Sequence, residues 1–169
     1  MSSIKIKNKF LKLKYFVVSF VSIVVTALLG SIFTSRNTST WYKTINLPSI
    51  VPPSYVFPIA WNIIFILMII SLYLLLSTKT NSLENRKLRN KAINLFYIQL
   101  IFNILWSLIF FEFKLLLVGL IEIIILEILI VFCTIMFYKI NKTSAYLLFP
   151  YVLWVAFATI LNLLILILN

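Results

Sequence analysis

The chain has no histidine, one cysteine, two glycines and only four acidic residues in 169. Each shortage excludes something. Without His, the usual general base, the commonest metal ligand and the usual haem axial ligand are all missing. A lone Cys133 allows neither a disulfide framework nor a thiolate metal cluster. With Gly30 and Gly119 as the only glycines, no phosphate-cradling glycine loop can form. Charge is scarce and one-sided, 11% of residues with a net charge of +11.

What fills the chain is apolar side chain. Hydrophobic residues make up 63%, and the mean hydropathy is +1.10. A soluble domain has no use for that much apolar surface, whereas a bilayer span needs about 20 such residues. Five runs qualify, at residues 15–35, 54–76, 92–111, 115–138 and 145–168. They predict an all-α integral membrane protein, a five-transmembrane-helix bundle forming one domain over residues 1–169. The first run is too long for a signal-peptide core and no A-x-A-like site follows it, so it is expected to be retained.

The basic residues sort by side. Lys5, Lys7, Lys9, Lys12 and Lys14 precede the first span. Lys79, Arg86, Lys87, Arg89 and Lys91 fall between spans two and three, and Lys139 and Lys142 between four and five. Those three segments share one side and hold 12 basic residues, against Arg36, Lys43 and Lys114 on the other. Such a split is the positive-inside pattern. It predicts a cytoplasmic amino terminus, an external first loop and an external carboxyl terminus. It also explains the charge by topology and anionic-lipid attraction, with no nucleic-acid partner. Residues 77–90 are expected to be a polar cytoplasmic loop. The link around Phe113-Lys114 is so short that spans three and four must lie antiparallel and adjacent.

Polar residues within the spans need a reason. Gln99, Asn103 and Trp106 fall at i, i+4 and i+7 on one face of span three. They suit either interhelical hydrogen bonding or a pocket wall with convergent donors. In span five, Pro150, Trp154, Ala158 and Asn162 are spaced by four, and a large aromatic next to a small alanine leaves either a slot or a close helix contact. Span two carries Phe57, Trp61, Phe65 and Met68 as a stripe. Glu122 and Glu127 are about 140° apart on span four, too far around the helix to act as paired carboxylates. Between spans one and two, residues 41–61 read "WYKTINLPSIVPPSYVFPIAW", with four prolines, two tryptophans and two tyrosines. Pro48, Pro52 and Pro53 stiffen this segment, and Pro53 is placed to start helix two. Trp41 and Tyr42 suit a membrane-interface belt.

With these residues laid out, the chain resembles the TspO/MBR family, the tryptophan-rich sensory proteins and the translocator protein (peripheral-type benzodiazepine receptor). "GSIFT" at 30–34 is similar to the family's end of helix one. Trp41-Tyr42, Pro48, Pro52-Pro53, Phe57 and Trp61 fit its loop pattern. "QLIFNILWSLIFF" (99–111) and "PYVLWVAFATILN" (150–162) fit its helix-three and helix-five patterns. Two departures stand out. Ile50 occupies the place of a family tryptophan, and Glu122 that of an aspartate. The terminal "NLLILILN" also lacks the basic residue of the sterol-recognition pattern, so cholesterol binding is not implied.

The resemblance implies a bundle, often a homodimer, with a ligand cavity under a lid formed by residues 36–53. It implies protoporphyrin IX or another apolar small molecule as ligand, membrane lipid as the surroundings, and the plasma membrane of a prokaryote as the location. The ligand-binding residues are then Pro52, Phe57, Trp61 and Phe65, with Asn103 and Trp106, Ile123, and Trp154 and Ala158. No resident cofactor and no metal is expected, and metal-free porphyrin suits a chain without His. Sensing by binding leads. Transport, and light-dependent porphyrin degradation with Trp61 and Trp154 as catalytic residues, stay open as alternatives.

Overall fold

Within a bilayer a helix satisfies its own backbone hydrogen bonds, so a long apolar run folds as one. A computed structural model describes residues 2–38 and 40–169, with side chains from residue 9 onward. The side chains of Lys5 and Lys7 of the basic-residue count, and Ser39 of the expected lid, lie outside that description. Five helices follow: α1 (Ser2–Thr38), α2 (Val56–Ser77), α3 (Leu83–Ser107), α4 (Leu116–Ile140) and α5 (Lys142–Leu168). Among the described residues all five contain stretches long and apolar enough to cross a membrane. The protein is an all-α integral membrane bundle.

The helices alternate in direction, and the contacts at each end show it. At one end, Asn141 after α4 donates to the Thr78 hydroxyl after α2 at 2.9 Å. At the other, Asn37 of α1 donates to Glu112 beyond α3 at 3.0 Å, and Asn46 meets Leu168 and Asn169 at the end of α5. Laterally each helix touches the next in the closed order α1, α2, α5, α4, α3 and back to α1. Between α2 and α5, Ser71 and Ser144 donate to each other's carbonyls at 2.7 and 2.6 Å, both fully buried. Phe96 of α3 stacks on Phe137 of α4 in the core, with centroids 5.6 Å apart.

Several boundaries differ from the sequence expectation. The expected loop over residues 77–90 is mostly helix, because α3 starts at Leu83 rather than Ala92. The Ser82 hydroxyl accepts from the Asn85 N–H at 3.1 Å, and Glu84 stands in the positive first turn. Charged Glu, Lys and Arg side chains there are good helix formers, so a polar stretch extends the helix beyond the apolar span. Helix α2 begins at Val56, so Pro53 precedes it, and Pro58 is the proline in its first turn, where a missing N–H leaves no bond unmade. At its far end α3 widens into a π-helical turn, Leu108–Glu112. Lys114, with φ of 59°, then reverses the chain into α4.

Candidate functional site

The end of the bundle that carries the α1–α2 connection gathers most of the indoles. Helix α2 presents Phe57, Trp61 and Phe65, one turn apart, toward α5. Trp61 stacks on Phe65 with centroids 5.3 Å apart and meets Tyr151 of α5 edge-on at 6.2 Å. Phe57 meets Trp154 edge-on at 5.9 Å. Trp61, Phe65, Trp154 and Ala158 are all half-buried, packed against the core. Trp106 belongs to a second aromatic group. It stacks on Phe110 at 5.3 Å and meets Phe111 edge-on at 5.7 Å. Trp41 and Tyr42, expected at the lipid interface, instead pack on that same group, Trp41 on Phe110 and Tyr42 on Phe111. Burial there pushes the Tyr42 phenol above its ordinary range.

The connection itself is clasped to α5. The Asn46 N–H donates to Asn169 Oδ1 at 2.9 Å, its side chain donates to the Leu168 carbonyl at 3.1 Å, and Asn169 Nδ2 donates back to the Asn46 carbonyl at 3.0 Å. Pro52 is half-buried, while Leu47, Ile50 and Tyr55 face outward.

Gln99 and Asn103 take the interhelical role. The Tyr151 hydroxyl donates to Gln99 Oε1 at 2.9 Å and accepts from Asn103 Nδ2 at 3.0 Å. One N–H of Asn103 is thereby engaged within the protein. Tyr151 was not singled out in the sequence because spacing by four misplaces the inward face of α5. A strict four-residue step drifts about 40° per turn. The buried positions instead include Ser144, Leu148, Tyr151, Val155 and Asn162, in steps of four, three, four and seven, while Pro150 is exposed. A search for that heptad pattern would have found Tyr151.

Other polar groups in the interior find no partner among the described residues. They include the indole N–H groups of Trp106 and Trp154, both amide atoms of Asn162, both oxygens of Glu122 and Nε2 of Gln99, with the Ser77 hydroxyl, Nε of Arg89 and one oxygen of Glu127 elsewhere in the bundle. Asn162 is 1% exposed and Glu122 is 6%. They lie on facing helices. A Cβ added at Gly119 of α4 would stand 3.5 Å from Asn162 Nδ2, and Glu122 follows one turn along the same helix. Ile123, beside it, is buried in the core. A buried, unpaired polar group is costly, so each of these needs a partner from outside the described residues or is a weak point of the bundle. Sequence inspection noticed Asn162 and Glu122 but had no means of bringing them together.

A helical bundle lined this way, with a proline-rich aromatic connection over one end, matches the TspO/MBR family model across residues 17–168. The chain belongs to the TspO/MBR family. The Tryptophan-rich protein TspO of Chlorobaculum tepidum is 41% identical over 140 residues, covering 83% of this chain and 86% of that one. The protein of the same name from Archaeoglobus fulgidus is 36% identical over 153 residues, 90% of this chain and 95% of its own. The human Translocator protein is 28% identical over 133 residues, 79% and 77% of the two chains. The TspO/MBR match thus takes in all five helices and the α1–α2 connection.

Proposed function

We propose that this TspO/MBR protein is a membrane receptor for a tetrapyrrole, with metal-free protoporphyrin IX as the ligand of choice. The observation that carries this reading is the set of unpaired interior polar groups, two of which are the N–H groups of the indoles Trp106 and Trp154 themselves. A porphyrin is a broad apolar disc with a polar centre and two carboxylates on its edge. Trp61, Phe65 and Trp154 supply surfaces for the disc. The Trp106 and Trp154 N–H groups and the Asn162 amide supply donors, and Glu122 an acceptor for ring N–H groups. Ile123 and Ala158 fill the apolar remainder, and Pro52 and Asn103 flank it. The clasped connection of residues 36–53 serves as the lid. The same orientation argument as for any basic-end bundle puts the Lys79–Lys91 end in the cytoplasm of a prokaryotic plasma membrane and the lid outside. It pairs as a homodimer in this reading, in the manner the family resemblance implies.

Two properties of Asn162 give the test. Asn162→Leu removes an unpaired buried amide, so the ligand-free protein should gain about 1–3 kcal/mol. The same change removes ligand donors, so protoporphyrin IX affinity, read by quenching of tryptophan fluorescence, should fall at least about tenfold from a micromolar value. Unchanged affinity in a folded variant overturns the site.

Photochemical degradation is the second reading, favoured by one observation. Trp61 of α2 meets Tyr151 of α5 and Trp154 of α5 meets Phe57 of α2, so both indoles stand at the α2–α5 contact, where a bound disc can stack on either. Illumination of the complex should then consume porphyrin in the wild type and spare it in Trp61→Phe and Trp154→Phe. Equal loss in all three proteins removes the enzymatic reading and leaves binding intact.

A further inference from the structure

At the end opposite the lid, α4 and α5 part at their outer surface. Ile135, Tyr138 and Lys139 of α4 face Tyr146 and Phe149 of α5 across a groove with Ala145 at its floor, about 290 Å³ in volume. Ala145 is 2% exposed, while the rim side chains are open to the surroundings of the bundle. Tyr138 and Tyr146 meet edge-on with centroids 6.0 Å apart. Lys142 Nζ sits 5.4 Å from the Tyr138 ring centroid, so two lysines stand over one end of an apolar trough.

We propose that this groove is a specific site for one anionic phospholipid, with part of an acyl chain in the trough and the phosphate on Lys139 and Lys142. Three features favour this occupant. The walls are aliphatic and aromatic, and the Thr134 hydroxyl at the edge already donates to the Ile130 carbonyl at 2.8 Å, which leaves the trough apolar. The space is smaller than the about 300–1,000 Å³ that encloses most of a small molecule, so it suits a chain that continues into the bilayer. The charged side chains at its mouth, Lys139 and Lys142, are both basic. Lysines at a helix end reach the headgroup level, and the tyrosine pair supplies the amphipathic rings favoured there. The site is remote from the aromatic cluster and does not depend on what that cluster binds.

The test is native mass spectrometry of the protein released from nanodiscs of equimolar phosphatidylglycerol and phosphatidylcholine. One phosphatidylglycerol should be retained preferentially. K139Q/K142Q should lower that preference roughly tenfold, since each lysine near a membrane surface attracts anionic lipid. K139R/K142R should keep it. Ile135→Trp, at a position 48% exposed, should fill the trough and release the lipid without disturbing the fold. K87Q/K91Q, at the same end of the bundle, is the comparison and should retain the preference. Equal retention of the two lipids overturns the proposal. So does undiminished preference in K139Q/K142Q or in Ile135→Trp. An equal loss in K87Q/K91Q assigns the effect to the basic end as a whole and overturns a discrete site. Should K139Q/K142Q unfold, Ile135→Trp decides.

Discussion

Replacing Tyr151 by Phe deletes one oxygen and leaves the ring, with its edge-on contact to Trp61, in place. The lost oxygen joins α5 to α3 twice, accepting from Asn103 and donating to Gln99. Hydrogen bonds between membrane helices are worth about 0.6 kcal/mol each on average, and up to about 1.7. Two of them give roughly 1–3 kcal/mol. Gln99 and Asn103 cannot turn to water, being 1% and 5% exposed, so the upper half of that range is expected. The measurement is reversible unfolding in mixed detergent micelles, with helicity as the signal. Adding Gln99→Leu should then recover part of the loss, because an orphaned amide is replaced by apolar volume. A loss below about 0.5 kcal/mol for Tyr151→Phe, or strict additivity with Gln99→Leu, would refute the network as a stabilising link.

Gly119→Ala should be neutral or stabilising by up to about 1 kcal/mol, since the new Cβ meets Phe110 at 3.4 Å and Asn162 at 3.5 Å, ordinary contacts, and Ala is the better helix former. Gly119→Leu has no such room and should cost about 1–3 kcal/mol in the same unfolding assay. Ala158→Phe should fill the space beside Trp154, lowering protoporphyrin IX affinity about tenfold with little change in melting temperature. An aggregated Ala158→Phe protein would assign Ala158 to helix packing instead. For Tyr42, burial raises the folded-state pKa above the unfolded value of 10.0. The stabilisation by its neutral form is therefore complete below that pH and is lost as pH rises through the folded value. A spectrophotometric titration of wild type minus Tyr42→Phe should show one phenol ionising later than free tyrosine.

The five spans were legible because hydrophobic length is a local property that the bilayer reads directly. The family was legible because three ordered motifs survive in the chain. Neighbour relations were harder. Helices α2 and α5 touch along their lengths, with Ser71 bonded to Ser144, yet nothing in either segment names the other. The helical stretch before Lys91 was hidden because hydropathy marks membrane thickness, whereas α3 is prolonged by capping and propensity. The protein contacts of Trp41 and Tyr42 were hidden for a similar reason. An aromatic at a membrane edge suits lipid or protein equally, and here Phe110 and Phe111 supply the protein surface. In α5, steps of four select Trp154 and steps of three and four select Tyr151, and only packing chooses between them.

The clasp between Asn46 and Asn169 has a consequence for biogenesis. Its two halves are 123 residues apart in the chain. The α1–α2 segment leaves the ribosome early, but its anchor arrives only with the end of α5. Throughout synthesis of the intervening helices, Trp41, Tyr42 and the prolines have no carboxy-terminal tether. Fastening of Asn46 is thus a late assembly step, reached only once the end of α5 is in place. Until then the connection is held by Phe110, Phe111 and Glu112 at the end of α3.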